Sequence, residues 1–204
     1  MSNFKLNLMK YLNKGFKVSA IVLSALSLAG ETKAEETLKF GVADPLTGPA
    51  AIYGKDQMQA IRWAVEDINK AGGINGRKLE AIILDHQAKP EVGINAINRL
   101  INVHKVPVFI TAFSNVVKAV APIANRTKTL MLSVGANAPI IKSLGDYVYT
   151  TFPLADVDMG KLGPFMYKNK GKRKAAVLYE NHETGIDGAK VFRDGFIKAG
   201  GKVV

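Results

Sequence analysis

Cysteine is absent from this 204-residue chain, which removes disulfides, thiolate nucleophiles, thiolate metal ligands and lipid attachment through a cysteine. Histidine is scarce: His86, His104 and His182 lie far apart and form no His-x-x-x-His spacing, so no metal site is expected. A dinucleotide fingerprint and a glycine-lysine-serine or glycine-lysine-threonine loop are both missing, so no cofactor is expected. Ser114 stands outside any glycine-x-serine-x-glycine elbow, which argues against hydrolase chemistry. The adjacent Asp85-His86 pair at a strand end reads first as a site loop or a cap. Together these absences point away from an enzyme, although an α/β scaffold alone excludes no chemistry. Nor is there a bilayer-spanning run: the uncharged stretch Val18 to Gly30 is shorter than the ~20 residues a membrane helix needs.

That short apolar stretch follows Lys5, Lys10, Lys14 and Lys17 and ends near Thr32-Lys33-Ala34. Basic start, apolar middle and small residues at the end are the pattern of a secretory signal peptide over residues 1–34, cut before Glu35. Export to the periplasm is the implication, and without disulfides burial must hold the fold there. The chain is basic, with 28 Lys and Arg against 17 Asp and Glu and a net charge of +11. Those charges are spread out apart from one cluster, Lys168 to Lys174, read as a solvated helix–strand connection. Nucleic acid is therefore not expected as a partner.

From Glu35 onward β-rich runs alternate with helical patterns. Strands are expected at 38–42, 79–84, 106–112, 130–133, 147–152 and 174–179, with another beginning at Lys202. Helices are expected at 54–71, 90–103, 114–125, 158–168 and 185–199, with a brief helical turn after Pro139. Met58, Ile61, Val65 and Ile68 form the inner stripe of the first helix, and Gly72-Gly73 stop it. Trp63 falls at the stripe's edge. Strands separated by helices need crossovers, so the fold class is α/β, a doubly wound parallel sheet followed by the start of a second α/β lobe. The expected division is a signal peptide at 1–34, a first lobe at 35–152 and an incomplete second lobe at 153–204. Stopping there is expected to leave Val177, Val191 and Phe196 without cover and to make the 204-residue product a poor binder of marginal stability.

Such sheets bind ligands at the carboxyl ends of their strands. Three loops stand out. The first runs from Asp44 to Gly54 and carries Tyr53; the others are Thr111-Ala112-Phe113-Ser114-Asn115 and Ser133-Val134-Gly135-Ala136-Asn137. Ser114 opens a helix, where free N–H groups and the positive end of the helix dipole favour a carboxylate. It reads equally as an ordinary N-cap. Asn137 reads either as a ligand contact or as the cap of the short turn at Pro139.

The stretches "GVADPLTGPAAIYG", "AVEDINKAGGINGRKLE" and "LSVGANAP" resemble the leucine/isoleucine/valine-binding proteins of ABC importers, over about Leu38 to Val204. The resemblance implies a type I periplasmic binding protein fold of two α/β lobes that close on an amino-acid-like ligand. It implies a small amino-acid-like ligand and an inner-membrane ABC permease as partners, and a monomer. By position, Ser114 matches the serine that holds the ligand carboxylate, Gly135 and Asn137 the carbonyl and hydroxyl beside it, and Tyr53 the aromatic of the side-chain pocket. Asp156 matches an acidic residue beside the cleft, and Thr184 stands where members carry a pocket tyrosine. Asn137 replaces a threonine, Asn115-Val116 interrupts a Ser/Thr run, and Ala88 and Phe113 stand where some members have a cysteine pair. The function implied is the extracytoplasmic solute-binding subunit of an importer, with a non-transporting remnant or sensing module as the alternative.

Overall fold

The computed structural model describes residues 37–204, a stretch that lies within one compact unit, Thr37–Val204. The expected signal segment at 1–34 lies outside the described residues.

Strand β1 (Leu38–Asp44) is followed by α1 (Ala51–Lys70), β2 (Leu79–Asp85), α2 (Pro90–Asn102), β3 (Val108–Thr111), α3 (Ser114–Thr127) and β4 (Leu130–Ser133). A 3-10 turn (Pro139–Ser143) and β5 (Val148–Thr150) complete a five-stranded parallel sheet of order β2-β1-β3-β4-β5. Val42, Ala43 and Asp44 are all fully buried at the end of β1, the continuous burial expected of an inner strand of a parallel sheet. The doubly wound fold read from the sequence is therefore what the chain adopts.

The path from β1 to β2 runs one way along the sheet, and the path from β2 to β3 runs the other way. Right-handed crossovers then place α1 on one face and α2 and α3 on the opposite face. The main apolar core agrees: Ile97 and Leu100 of α2 join Val116, Val117, Val120 and Ala124 of α3 around Phe109 and Met131. On the other face α1 buries Gly54 and Met58 only. Ile61 and Val65 are half-buried, and Ile68 and Trp63 are exposed. The amphipathic stripe is thus real, but its far end is uncovered, and Trp63 lies on the surface rather than packed.

After the first sheet come α4 (Ala155–Lys168), β6 (Lys174–Ala175), α5 (Glu183–Lys198) and β7 (Lys202–Val203), with β6 and β7 forming a parallel pair. Two expectations need correction here. The strand expected at 174–179 is ordered only over Lys174–Ala175, because β7 supplies partners only there and a strand without a ladder has no hydrogen bonds to hold it. Phe196, expected to lack cover, is fully buried. It stacks on Phe192 with ring centroids 5.7 Å apart and meets the edge of Tyr167 at 6.2 Å. Val177 and Val191 are half-buried.

Smaller shifts are at helix ends. Helix α1 begins at Ala51, since the Ala51 and Tyr53 N–H groups already donate to Gly48 and Ala50; α4 begins at Ala155 and takes Asp156 into its first turn. In the basic cluster, Arg173 lies over the Tyr167 ring and Lys170 over Phe165, and the charged side chains are exposed.

Candidate functional site

In a sheet of order 2-1-3-4-5 the crevice opens where the chain reverses direction, between β1 and β3. The first turn of α1, after β1, carries Tyr53, and the junction of β3 with α3 carries Phe113 and Ser114; these two segments meet. Tyr53 packs edge-on against Phe113 with centroids 6.2 Å apart, and Tyr53 itself is 62% exposed.

Ser114 is not a cap. The N-cap of α3 is Phe113, at φ 69°, with no side-chain cap bond. The Ser114 hydroxyl instead accepts from the Ala138 N–H at 3.2 Å and shares a hydrogen bond with the Thr184 hydroxyl at 3.0 Å. One nearly buried oxygen thus joins the loops after β3 and β4 to the first turn of α5. A second link runs beside it: Lys118 of α3 pairs with Glu183 of α5 at 2.8 Å, and the Glu183 hydrogen bond and charge raise the Lys118 pKa. In α3's first turn the Val116 N–H is taken by Asn115 Oδ1 at 2.9 Å, while the Ser114 and Asn115 N–H groups precede the first main-chain acceptor of the helix and point the same way as its dipole.

Gly135 is exposed, and Asn137 is half-buried. The 3-10 turn is capped by Ala138 without a side-chain bond, so the Asn137 side chain is not spent on capping. Asn137 and Thr184 both line a cavity of about 400 Å³ whose other walls include Met159, Leu162, Tyr179 and Phe192. Asp156, in the first turn of α4, is paired through Oδ2 to Lys142 at 2.6 Å, with a buried Oδ1 that no group engages. Ser114, Asn137 and Thr184 therefore converge, Tyr53 of α1 and Gly135 of the loop after β4 lie at the same edge of the first sheet, and Asp156 is tied to the 3-10 turn.

Beneath these segments lie two buried titratable groups whose burial the sequence pattern did not show. Asp44 and His86 are both fully buried at the ends of β1 and β2, with His86 Nε2 3.9 Å from Asp44 Oδ1. Burial pushes the Asp44 carboxyl up to about 7. Burial pushes the His86 imidazole down to about 4, against its backbone hydrogen bond and the Asp85 charge. Asp85 goes the opposite way to Asp44. Burial opposes its ionisation, but hydrogen bonds from the Thr47 hydroxyl and from the Leu46, Gln87 and Thr47 N–H groups hold it below the ordinary carboxylate value. The signal available in the sequence was an aspartate closing an otherwise apolar strand. Thr111 and Ser133, at the neighbouring strand ends, are buried with hydroxyls that no group engages.

Among the described residues no cluster of His, Asp and Glu has a metal-binding arrangement, and no helix is long and apolar enough to cross a membrane. What the edge offers is hydrogen-bond donors and hydroxyls around a cleft, the equipment for holding a small polar solute.

A family model described as periplasmic binding protein matches residues 37–204. The leucine-, isoleucine-, valine-, threonine- and alanine-binding protein of Pseudomonas aeruginosa is 30% identical over 178 residues, which cover 85% of this chain and 48% of that protein. The Leu/Ile/Val-binding protein of Escherichia coli is 26% identical over 190 residues, covering 92% and 52%. A solute binding protein of an ABC transporter from Rhodopseudomonas palustris, solved in complex with 3,4-dihydroxy benzoic acid, superposes with a TM-score of 0.76 at 30% identity, covering 83% of this chain and 46% of that one. A leucine binding protein from Thermotoga maritima superposes at 0.74 with 24% identity, covering 82% and 48%, and supports the fold. The chain spans about half the length of the relatives it matches.

Proposed function

From the premise that this chain belongs to the periplasmic binding protein family, we propose that it is the solute-binding, non-enzymatic part of an ABC importer, and that it takes a small carboxylate-bearing solute of the amino-acid type. The observation that carries this reading is the Ser114 hydroxyl, held between the Ala138 N–H and the Thr184 hydroxyl. A ligand carboxylate placed there would accept from the Ser114 hydroxyl and the Ser114 and Asn115 N–H groups at the start of α3, in the favourable field of the helix dipole. It would replace the Ser114–Thr184 bond, a neutral hydrogen bond, with charge-assisted ones, which are roughly twice as strong.

In the same reading Gly135 contributes its backbone and Asn137 a side-chain amide, Tyr53 lines the apolar side, and Thr184 closes over the ligand from α5. Asp156, already paired with Lys142, shapes the rim. Ligand capture is a population shift: the ligand binds the state in which α5 lies against α3, and the Lys118–Glu183 pair supports that approach. The solutes for which these relatives are named, leucine, isoleucine and valine, and the dihydroxybenzoate with which another was solved have a carboxylate in common rather than a side chain. We assign the chain to the periplasm as a monomer that delivers to a membrane permease, with Glu35 as the mature amino terminus.

The test is a thermal-shift screen of the protein expressed from its complete reading frame. L-Leucine, L-isoleucine, L-valine and 3,4-dihydroxybenzoate are compared with L-leucinol, which keeps the amine and side chain but lacks the carboxylate. A rise in Tm with at least one carboxylate and none with leucinol is expected. No rise with any of the carboxylates, or an equal rise with leucinol, would remove the reading.

A further inference from the structure

The end of the second αβ unit that faces away from the cleft is a basic surface assembled from two segments. Strands β6 and β7 start at Lys174 and Lys202, which are partners in register, and helices α4 and α5 end at Lys168 and Lys198. In a crossover unit the helices run antiparallel to the strands, so strand starts and helix ends lie together, away from the carboxyl ends where solute is held. Between Lys168 and Lys174 come Lys170, Lys172 and Arg173. The Lys202 N–H donates to the Arg173 carbonyl at 2.9 Å, and Gly200 lies against Tyr167, where a Cβ would come 2.7 Å from the ring hydroxyl. These contacts bring residues 198–202 up to 168–174, and all of the cations named are exposed.

Local needs account for few of these charges. The helix dipoles favour a cation at the ends of α4 and α5, which explains Lys168 and Lys198; the others lie beyond the last turns. No carboxylate interleaves them, since the sequence has no Asp or Glu from 159 to 179 or from 195 to 204, and Asp194 is engaged by Lys190 and Arg193. The one guanidinium in the group is committed: it lies 4.2 Å over the Tyr167 ring and donates to the Tyr167 carbonyl at 2.9 Å. What faces outward is lysine, a hydrated point charge. It suits a diffuse layer of negative charge better than the bidentate grip on a carboxylate that an acidic protein partner would invite. Phe165, 43% exposed in the last turn of α4, lies among these lysines, with the Lys170 ammonium 5.5 Å from its ring centroid. An exposed ring beneath a snorkelling lysine is the amphipathic pairing of a lipid headgroup interface.

We propose that this end of the chain, centred on Lys170, Lys172 and Lys174, is a docking surface for an anionic phospholipid bilayer, with Phe165 set at headgroup depth. The inference goes beyond the solute-binding reading and does not depend on it. Docked this way, the protein keeps Ser114 and Thr184, at the carboxyl ends of the strands, clear of lipid. The attraction reaches about one Debye length, about 8 Å at physiological ionic strength, so the association is reversible and sensitive to salt.

The experiment needs no solute, so its outcome is separate from that of the carboxylate screen. Protein expressed from its complete reading frame, without residues 1–34, is sedimented with vesicles of phosphatidylglycerol and phosphatidylethanolamine and with vesicles of phosphatidylcholine. Residues 1–34 are left out because their lysines and apolar run would bind lipid by themselves. Binding is expected to the anionic vesicles alone, and to be lost in high salt, since the Debye length shrinks from about 10 Å at 0.1 M to about 3 Å at 1 M. Replacing Lys170, Lys172 and Lys174 together by Gln is expected to weaken it about a hundredfold, at roughly fivefold for each cation near the surface. The same change of net charge at Lys55, Arg62 and Arg126, exposed cations of the first sheet's helices, is expected to leave it within a few fold of the parent. Phe165→Ala is expected to weaken vesicle binding with the charge unchanged. Equal losses in the two triple variants would mean that net charge alone is at work and would overturn the docking surface. No binding to anionic vesicles, or equal binding to phosphatidylcholine, would overturn it as well. Tighter binding to soluble poly-L-glutamate than to vesicles at equal anionic charge would transfer the surface to an acidic protein partner and overturn the lipid assignment.

Discussion

Asp44 and His86 place two opposed titrations within 3.9 Å, and the signs are separable. Asp44 keeps its proton to about 7 when folded against 3.8 as the ordinary value. Its contribution to stability is therefore full below about 4 and is lost as pH rises through 7. His86 resists protonation until about 4 against an ordinary 6.5, so its contribution is present above 6.5 and lost as pH falls through 4. Between these limits the two slopes oppose each other in the parent. Asp44→Asn is expected to unmask His86, so that its stability relative to the parent rises between pH 4 and 7, by on the order of 4 kcal/mol at about 1.4 kcal/mol per pH unit. His86→Gln is expected to fall relative to the parent between pH 4 and 6.5. Urea denaturation at fixed pH values measures both, and parallel curves for parent and variants would show that neither group is perturbed. In the sequence Asp85-His86 was legible as a strand-end pair and Asp44 as the start of the first loop; their burial was not, because it comes from contacts distant in sequence, among them Gln57 of α1, whose amide lies 2.6 and 3.2 Å from the two Asp44 oxygens. Ser114 shows the reverse case. Its place at a helix start was legible, but whether its hydroxyl capped α3 or crossed the cleft depended on Phe113 taking the N-cap position at positive φ.

At the scale of elements, the family-like stretch Ile74-Asn75-Gly76-Arg77 illustrates what sequence pattern resolves well. Asn75 and Gly76 have φ of 52° and 83°, the left-handed pair of a type I′ turn, and Ile74 and Arg77 bond across it in both directions. Asn69 then fixes the start of β2 by bonding the Leu79 N–H and carbonyl. The short β6 was misjudged because apolar β-branched residues mark strand propensity, whereas a strand exists only where a neighbour supplies a ladder. Helices α4 and α5 pack through glycine: a Cβ at Gly163 would lie 2.6 Å from the Phe192 carbonyl oxygen and 2.7 Å from the Phe196 nitrogen. Backbone atoms cannot swing aside as a side chain can, so Gly163→Ala is expected to push the helices apart and to cost about 1–3 kcal/mol, the usual range for overpacking. Chemical denaturation checks this, and an unchanged midpoint would mean that the helices do not approach so closely. In the first sheet, Leu100 is fully buried in the main core, and Leu100→Ala is expected to cost about 2–5 kcal/mol in the same assay.

For the whole molecule, the doubly wound parallel class was legible because strands alternating with helices require crossovers, and the site's location at the carboxyl ends of the strands followed from that class; the order β2-β1-β3-β4-β5 came only with the structure. Coverage of the sheet was not legible, since α1 leaves Trp63 and the far end of its apolar stripe exposed. That depends on what packs against the outer face, not on the stripe itself. The proposed periplasmic location carries its own prediction: the mature protein is expected to begin at Glu35, which intact-mass analysis of the periplasmic fraction measures, and recovery only of a chain beginning at Met1 would contradict it. The central claim is that the edge of the first sheet holds a solute carboxylate through Ser114. Calorimetric titration of the carboxylate that most raises Tm, into the parent protein and into Ser114→Ala, tests it most directly. The account predicts one-to-one binding weakened in the variant by about 1–3 kcal/mol, the cost of leaving a charged acceptor short of one donor; an equal dissociation constant for the two proteins, with both folded, would contradict it.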